Sequence, residues 1–134
     1  MLLDDAGARV VADGLGYTNE CVVHPNGKQL YVNETFTRRL TRFKIATDGS
    51  LHNKATITEF GAGTFPDGLT FDAEGGIWIT SIVSNRVIRV EENGRQTVVL
   101  EDNDPGASDV GRASLSVRRD ESSPSRYPQK PALA

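Results

Sequence analysis

The chain has 134 residues, 37% of them hydrophobic and 25% charged, a composition typical of one soluble globular domain and unlike that of a disordered or collagen-like chain. Its one cysteine, Cys21, excludes an internal disulfide framework and a cysteine-rich zinc site. The net charge of -3 predicts no basic surface, so we expect no nucleic acid and no membrane among the partners. Two acids, Asp4 and Asp5, stand where a signal peptide carries positive charge, and the expected location is cytoplasmic.

Short apolar segments separated by turn sequences predict strands, and no ten-residue stretch shows helical periodicity. In chain order the predicted strands are Val10-Val11 and residues 20–23, 29–32, 40–43, 69–71, 77–80, 86–90 and 97–100. The turn sequences between them are Pro25-Asn26-Gly27, Asp48-Gly49, Glu74-Gly75-Gly76 and Asn93-Gly94, which supply residues that tolerate positive φ. The sequence therefore predicts an all-β fold.

The composition changes near residue 103. Residues 104–134 are rich in Ser, Arg and Pro and contain too few apolar residues to offset the entropy of ordering, so we expect a disordered C-terminal tail after a folded body over 1–103. The body holds 10 Lys/Arg and 14 Asp/Glu, whereas the tail holds 5 and 4. The tail is therefore not a basic arm for nucleic acid.

The body contains an internal repeat. The segment from Asn19 to Phe43 matches the segment from Asp67 to Val90, with an offset of 48 residues at the first strand and 47 after the turn. A unit of this length with about four short antiparallel strands is typical of a propeller blade. We predict about two four-stranded blades, and two unrelated hairpins with similar turns are the alternative.

Asn19 and Asp67 occupy equivalent positions in the repeat, just before the first predicted strand of each blade. The first strands of a propeller line its central channel, so these two oxygen donors are expected to converge on the axis. Such donors suit a hard cation, calcium above all, and zinc or manganese also accept them. The alternative is that both are ordinary turn residues that bond to their own backbone.

Other residues are interpreted structurally. His24 is expected to be a solvent-facing turn residue, and Cys21 a small core side chain. Trp78 and Tyr31 occupy corresponding strand positions and predict packing between blades. A solvated basic face on the outer strands is predicted from Arg38, Arg39, Arg86 and Arg89.

Four motifs carry a family resemblance. They are residues 14–20 (Gly-Leu-Gly-Tyr-Thr-Asn-Glu), 26–32 (Asn-Gly-Lys-Gln-Leu-Tyr-Val), 65–69 (Phe-Pro-Asp-Gly-Leu) and 72–78 (Asp-Ala-Glu-Gly-Gly-Ile-Trp). In this order and at blade spacing, the chain resembles the SMP-30/gluconolactonase/luciferin-regenerating-enzyme family over about residues 5–103. The resemblance implies a six-bladed propeller whose central divalent cation binds a lactone and assists its hydrolysis.

The resemblance also implies roles for individual residues. Asn19 matches the family's metal-ligating Asn, and Asp67 matches its ligating Asp, which is also a proposed general base. A divalent ion polarises the lactone carbonyl and lowers the pKa of a bound water, while a carboxylate accepts the proton of that water. Glu20 departs from the family, which often has Gly at this position. The expected activity is that of a metal-dependent lactonase with a small-molecule lactone or ester as substrate.

About two blades are recognisable where the family's ring has six, and nothing before Asn19 matches the family's ligating Glu. We therefore expect the chain to be an incomplete ring whose uncovered blades promote self-association. A non-catalytic propeller fragment, or an interaction module completed by another chain, is the alternative function. The sequence leaves open whether the chain alone is an enzyme.

Overall fold

The computed structural model of the chain describes residues 1–102, and all regular structure in this part is β. The strands are β1 (Leu2–Asp4), β2 (Gly7–Arg9), β3 (Thr18–Val23), β4 (Gln29–Glu34), β5 (Arg39–Ile45), β6 (Leu51–Glu59), β7 (Pro66–Phe71), β8 (Ile77–Ser81), β9 (Arg86–Val90) and β10 (Gln96–Glu101). The predicted all-β class is confirmed. In the described range no helix is long and apolar enough to cross a membrane. The predicted disordered tail over 104–134 lies outside the described residues.

Strands β3–β6 form one four-stranded antiparallel sheet and β7–β10 form another, each strand pairing with the next along the chain. We call these sheets the first and second blade, and they correspond to the two copies of the repeat. Strands β1 and β2 form a separate hairpin before the first blade. The prediction of two four-stranded blades is therefore confirmed.

One strand predicted from the sequence was wrong, and three strands of the structure were not predicted. Val10-Val11 is not a strand, because β2 ends at Arg9, and Val10 is 74% exposed. The hairpin β1–β2 and the nine-residue strand β6 were missed. Strand β6 is mostly exposed, so its polar residues produce no clear apolar alternation.

The loops within the two blades share one geometry. In the loop between β7 and β8, Asp72 N donates to Gly76 O at 2.9 Å and Gly75 N donates to Asp72 O at 3.3 Å. Gly75 has a φ of +84°, a backbone conformation that side-chain-bearing residues rarely adopt. The loop between β3 and β4 has the same turn, but its closing hydrogen bond runs from His24 N to Gln29 O, so this loop is one residue longer. This extra residue, Lys28, explains why the repeat offset changes from 48 to 47.

The hydrophobic core lies between the blades. Its buried residues are Tyr31, Leu40, Phe60, Leu69, Ile77, Ile79, Ile88 and Val90, all at most 6% exposed. The Tyr31 ring meets the Phe71 ring edge-on, with centroids 5.2 Å apart. Packing of Tyr31 between the blades is thus as predicted. Burial of these side chains stabilises the pair of blades by roughly 1.5–3 kcal/mol for each fully buried large residue.

Three residues lie in environments other than those predicted from the sequence. Cys21 is exposed instead of buried, because its neighbour Val22 packs against the core and side chains alternate along a strand. His24 is half-buried, with its ring centroid 5.0 Å from that of Phe71. Trp78 is half-buried on the opposite face of its sheet from Ile77, and its Nε1 donates to Asp72 Oδ2 at 2.9 Å.

The predicted solvated basic face is also corrected, because three of its four arginines form ion pairs. Arg39 pairs with Glu34, Arg89 with Asp72 and Arg86 with Glu101. The Arg39–Glu34 and Arg86–Glu101 pairs join neighbouring strands within a blade, and the Arg89–Asp72 pair joins β9 to the turn after β7.

Candidate functional site

The first strand of each blade contains a β-bulge at the same position of the repeat. In β3 the pairing with β4 shifts between Thr18 and Cys21, so Asn19 and Glu20 together face one residue of β4. In β7 the pairing with β8 shifts between Pro66 and Leu69, and Asp67 and Gly68 together face Thr80. Bulges redirect side chains and are frequent beside active sites.

The two bulges bring the two predicted site residues into contact. Asn19 Nδ2 donates a hydrogen bond to Asp67 Oδ1, from the inner strand of one blade to the inner strand of the next. Asn19 is exposed and Asp67 is half-buried. Both are the second residue of their strand, not residues before the strand as the sequence had indicated. The expected convergence of Asn19 and Asp67 is present, and their roles as ligands stay predictions.

Glu20, the departure from the family pattern, also joins the two bulges. Its Oε2 accepts a hydrogen bond from Leu69 N at 2.7 Å. Gly68 N donates to Thr80 Oγ1 at 2.9 Å, and a Cβ on Gly68 would lie only 2.7 Å from that hydroxyl. The residue after Asp67 therefore has to be small, whereas the residue after Asn19 has room for a long carboxylate.

Three consecutive polar residues at the end of β4 are buried, with exposed fractions of 0, 0 and 1%: Asn33, Glu34 and Thr35. Asn33 Nδ2 donates to Asp67 O at 2.9 Å, and Thr35 Oγ1 donates to Pro66 O at 2.8 Å. The side chains of Asn33 and Thr35 thus hold the backbone around Asp67 from the neighbouring blade. No role was predicted for these residues from the sequence, although three polar residues directly after Leu30-Tyr31-Val32 were a signal of one.

Glu34 organises the loop that leads into Asn19. Its carboxylate accepts hydrogen bonds from Arg39 Nε and Nη2, both at 2.8 Å, from Gly16 N at 2.6 Å and from Thr41 Oγ1 at 2.6 Å. Burial alone would raise the pKa of this carboxyl group, but these hydrogen bonds and the Arg39 charge outweigh it and lower the pKa from 4.5 to about 2. Glu34 is therefore a charged anchor at neutral pH.

Tyr17 stands between that anchor and Asn19. Its φ is +61°, uncommon for an aromatic residue, and its carbonyl accepts from Thr35 N at 3.0 Å. The Tyr17 ring stacks on Phe36 with centroids 4.5 Å apart, and both rings are exposed. The loop before Asn19 is thus fixed by a backbone hydrogen bond to Tyr17 and by the stacking of the Tyr17 ring.

The side chains at the two bulges carry oxygen atoms that suit a cation, but these oxygen atoms are few. Carboxylate and amide oxygens are what calcium selects, and it takes about six to eight of them. Within residues 1–102 no group of three or more His, Cys, Asp or Glu side chains is placed to hold a metal ion. Asn19 and Asp67 are fewer than the ligands that calcium takes, and Asn19 presents its Nδ2 to Asp67, so a ligand role would require its amide to turn and present Oδ1.

A cavity of about 360 Å³ lies at the other end of the blades, lined by His24, Tyr31, Arg89, residues 74–76 and Glu91-Glu92. Since β3 separates Asn19 from His24 by five residues, this cavity is about 16 Å from the bulges along the strand. Arg89 is engaged by Asp72 at 2.7 Å. The cavity is separate from the Asn19–Asp67 pair.

Comparison with solved structures identifies the class of fold. A gluconolactonase from Xanthomonas campestris matches with a TM-score of 0.60 and 24% identity, over 75% of this chain and 33% of that one. A luciferin-regenerating enzyme matches with a TM-score of 0.55 and 19% identity, over 66% of this chain and 30% of that one. A virginiamycin B lyase from Staphylococcus aureus matches with a TM-score of 0.57 and 18% identity, over 78% of this chain and 34% of that one.

These similarities and the two four-stranded blades define a protein of the β-propeller class. The chain spans about a third of the length of each of these structures. The sequence profile of the SMP-30/Gluconolactonase/LRE-like region matches residues 1–102. The chain belongs to this family, and the resemblance drawn from its motifs is confirmed.

Proposed function

We propose that the Asn19–Asp67 pair binds a divalent cation, calcium in the first place with zinc or manganese as alternatives, and supports hydrolysis of a lactone or ester. The observation that carries the proposal is the pair of equivalent bulges that bring an amide and a carboxylate into contact. Membership of a family that includes gluconolactonases supports the substrate class.

Each residue has a defined role in this proposal. When bound, the cation polarises the substrate carbonyl and acidifies a water molecule. Asp67 accepts a proton from the attacking water as the water oxygen bonds to the carbonyl carbon. When the ring C–O bond then breaks, Asp67 returns this proton to the leaving ring oxygen, and the product is a hydroxy acid. Asn19 is neutral, so it contributes an oxygen without cancelling the positive charge of the cation.

Calorimetric titration of the 134-residue chain with calcium, zinc and manganese tests the site. We expect binding at micromolar concentration, lost in Asn19→Ala, and metal-dependent lactone hydrolysis that is abolished in Asp67→Asn. Glu74→Gln is the matched control, because it removes one negative charge from a side chain that is 83% exposed at the far end of the blade. Unchanged turnover in Asp67→Asn removes Asp67 from the mechanism.

The second candidate is a non-catalytic propeller piece that another chain or a second copy completes. It is favoured by the exposed apolar side chains on the outer strand β10, where Val98, Val99 and Leu100 are 53, 48 and 57% exposed. Uncovered apolar side chains on an edge strand favour association. Native mass measurement should then give an oligomer or a hetero-complex, and a monomer that binds calcium and hydrolyses lactones contradicts this candidate.

A further inference from the structure

We infer that Asn33 is a positioning residue for Asp67, acting from the first blade on the backbone of the second; the inference rests on the function proposed above. Asn33 has no exposed surface. Its Nδ2 donates to Asp67 O at 2.9 Å and to Gly68 O at 3.3 Å, so one amide group contacts both residues of the β7 bulge.

The bulge is what creates the need for this amide. Between Pro66 and Leu69 the register of β7 on β8 shifts, so Asp67 and Gly68 share Thr80 as their opposite residue and neither is in a regular one-to-one pair. Strand β7 is also the inner edge of its sheet, with β8 on one side only. A carbonyl without a ladder partner in the interior requires another donor. Asn33 supplies that donor to both residues of the bulge.

Thr35 extends the same support by one residue. Its side chain points to the same side of the first blade as Asn33, two positions along the chain, and its hydroxyl donates to Pro66 O at 2.8 Å. Three consecutive carbonyl groups of β7, from Pro66 to Gly68, are thus held by two side chains of the first blade. The direction of the Asp67 side chain depends on this backbone.

The position of the Asn33 amide lowers the stability of the folded chain. With Nδ2 donating to two carbonyl groups, the orientation of the amide is set, and its Oδ1 is buried without a hydrogen-bond partner among the described residues. A buried polar atom without a partner opposes folding. A position needed only for packing would be better filled by an apolar side chain of similar volume, so the amide serves the placement of the bulge.

Placement of this kind matters to a metal site because loss of a residue that orients a ligand reduces metal affinity by about 10- to 100-fold. Without Asn33 the Asp67–Gly68 peptide can rotate, and the Asp67 carboxylate then leaves its contact with Asn19. The expected result is weaker cation binding in a chain that is still folded.

Calcium titration of the full chain and three variants tests the inference. Asn33→Leu removes both donors at similar volume, Thr35→Val removes one hydroxyl donor, and Val32→Ala is the control, since Val32 is 2% exposed on the opposite face of β4. We expect the calcium Kd to rise by about tenfold or more in Asn33→Leu and by less in Thr35→Val, and to stay unchanged in Val32→Ala. Wild-type affinity in Asn33→Leu, or an equal loss in the control, overturns the inference.

Carbon-13 NMR of the metal-free chain separates this inference from the proposed function. We expect Asn33→Leu to shift the Asp67 carbonyl and carboxylate resonances, and Val32→Ala to leave them in place. If the wild-type chain binds no calcium, the proposed function fails and these resonances alone decide whether Asn33 positions Asp67; unshifted resonances refute it. If Asn33→Leu does not fold, Asn33→Ala, which removes the same two donor bonds, is measured in its place with the same two outcomes.

Discussion

Replacing Glu34 by Gln should reveal a buried charge that stabilises the first blade and the loop before Asn19. Glu34 has no exposed surface, and its carboxylate is held by Arg39, by Gly16 N and by Thr41. Gln has the same shape, but it carries no charge and presents an NH₂ group to these donors. Arg39 then loses its ion-pair partner, and such losses in the interior cost several kcal/mol.

The size of the effect follows from the pKa of Glu34. A pKa lowered from 4.5 to about 2 in the folded chain corresponds to about 3 kcal/mol, at about 1.4 kcal/mol per pKa unit. Since the folded pKa lies below the unfolded one, this stabilisation is complete above about pH 4.5 and is lost as the pH falls towards about 2. It is a large part of the roughly 5–15 kcal/mol that separates folded from unfolded domains.

Urea denaturation from pH 7 down to pH 2.5, followed by circular dichroism, measures the difference between wild type and Glu34→Gln. We expect about 3 kcal/mol at pH 7, decreasing between pH 4.5 and pH 2.5. Glu74→Gln, which changes an exposed carboxylate, should show no such dependence. A Glu34→Gln difference below about 1 kcal/mol, or one that does not vary with pH, would refute this account of the buried carboxylate.

Two further predictions concern the second blade. Gly94→Ala should lower the thermal unfolding midpoint far more than Gly75→Ala, because a Cβ at Gly94 clashes with the Ile57 carbonyl, whereas a Cβ at Gly75 meets open space. Since φ is positive at both glycines, the difference between the two midpoints reports the clash and not the backbone strain. The fluorescence of the one tryptophan, Trp78, should respond to Asp72→Asn, which weakens the bond at the indole nitrogen. In wild type the emission should titrate well below the ordinary carboxyl range, since hydrogen bonds from Arg89 and then from Trp78 lower the pKa of Asp72. Titration in the ordinary range would contradict this assignment.

The parts of the fold that could be predicted from sequence are those with local causes. Turn glycines such as Gly27 and Gly75 are required by the local backbone conformation, so they identify the hairpins whatever the tertiary structure around them. The repeat follows from the same local signals, and it correctly pairs Asn19 with Asp67. Strand β6 was missed because it lies at the outer edge of its blade, where burial imposes little pattern.

The bulges could not be predicted, because a register shift is a property of two strands and not of either sequence alone. Asn19 and Asp67 were therefore expected before their strands and not inside them. The supporting residues were missed for a related reason. Asn33 acts on a neighbouring blade, and Glu34 acts through Arg39 and Gly16, so their contacts depend on how strands meet in space.

The equivalence of the two bulges has a consequence for how such proteins arise. The backbone bond from Thr35 N to Tyr17 O recurs as the bond from Ile82 N to Phe65 O, so the second blade repeats the local framework of the first. Duplication of one such unit in a gene copies the framework together with a side chain directed at its neighbour. Point substitution then needs to change only the residue in the bulge, amide in one copy and carboxylate in the other, for tandem duplication to bring two different polar side chains into contact.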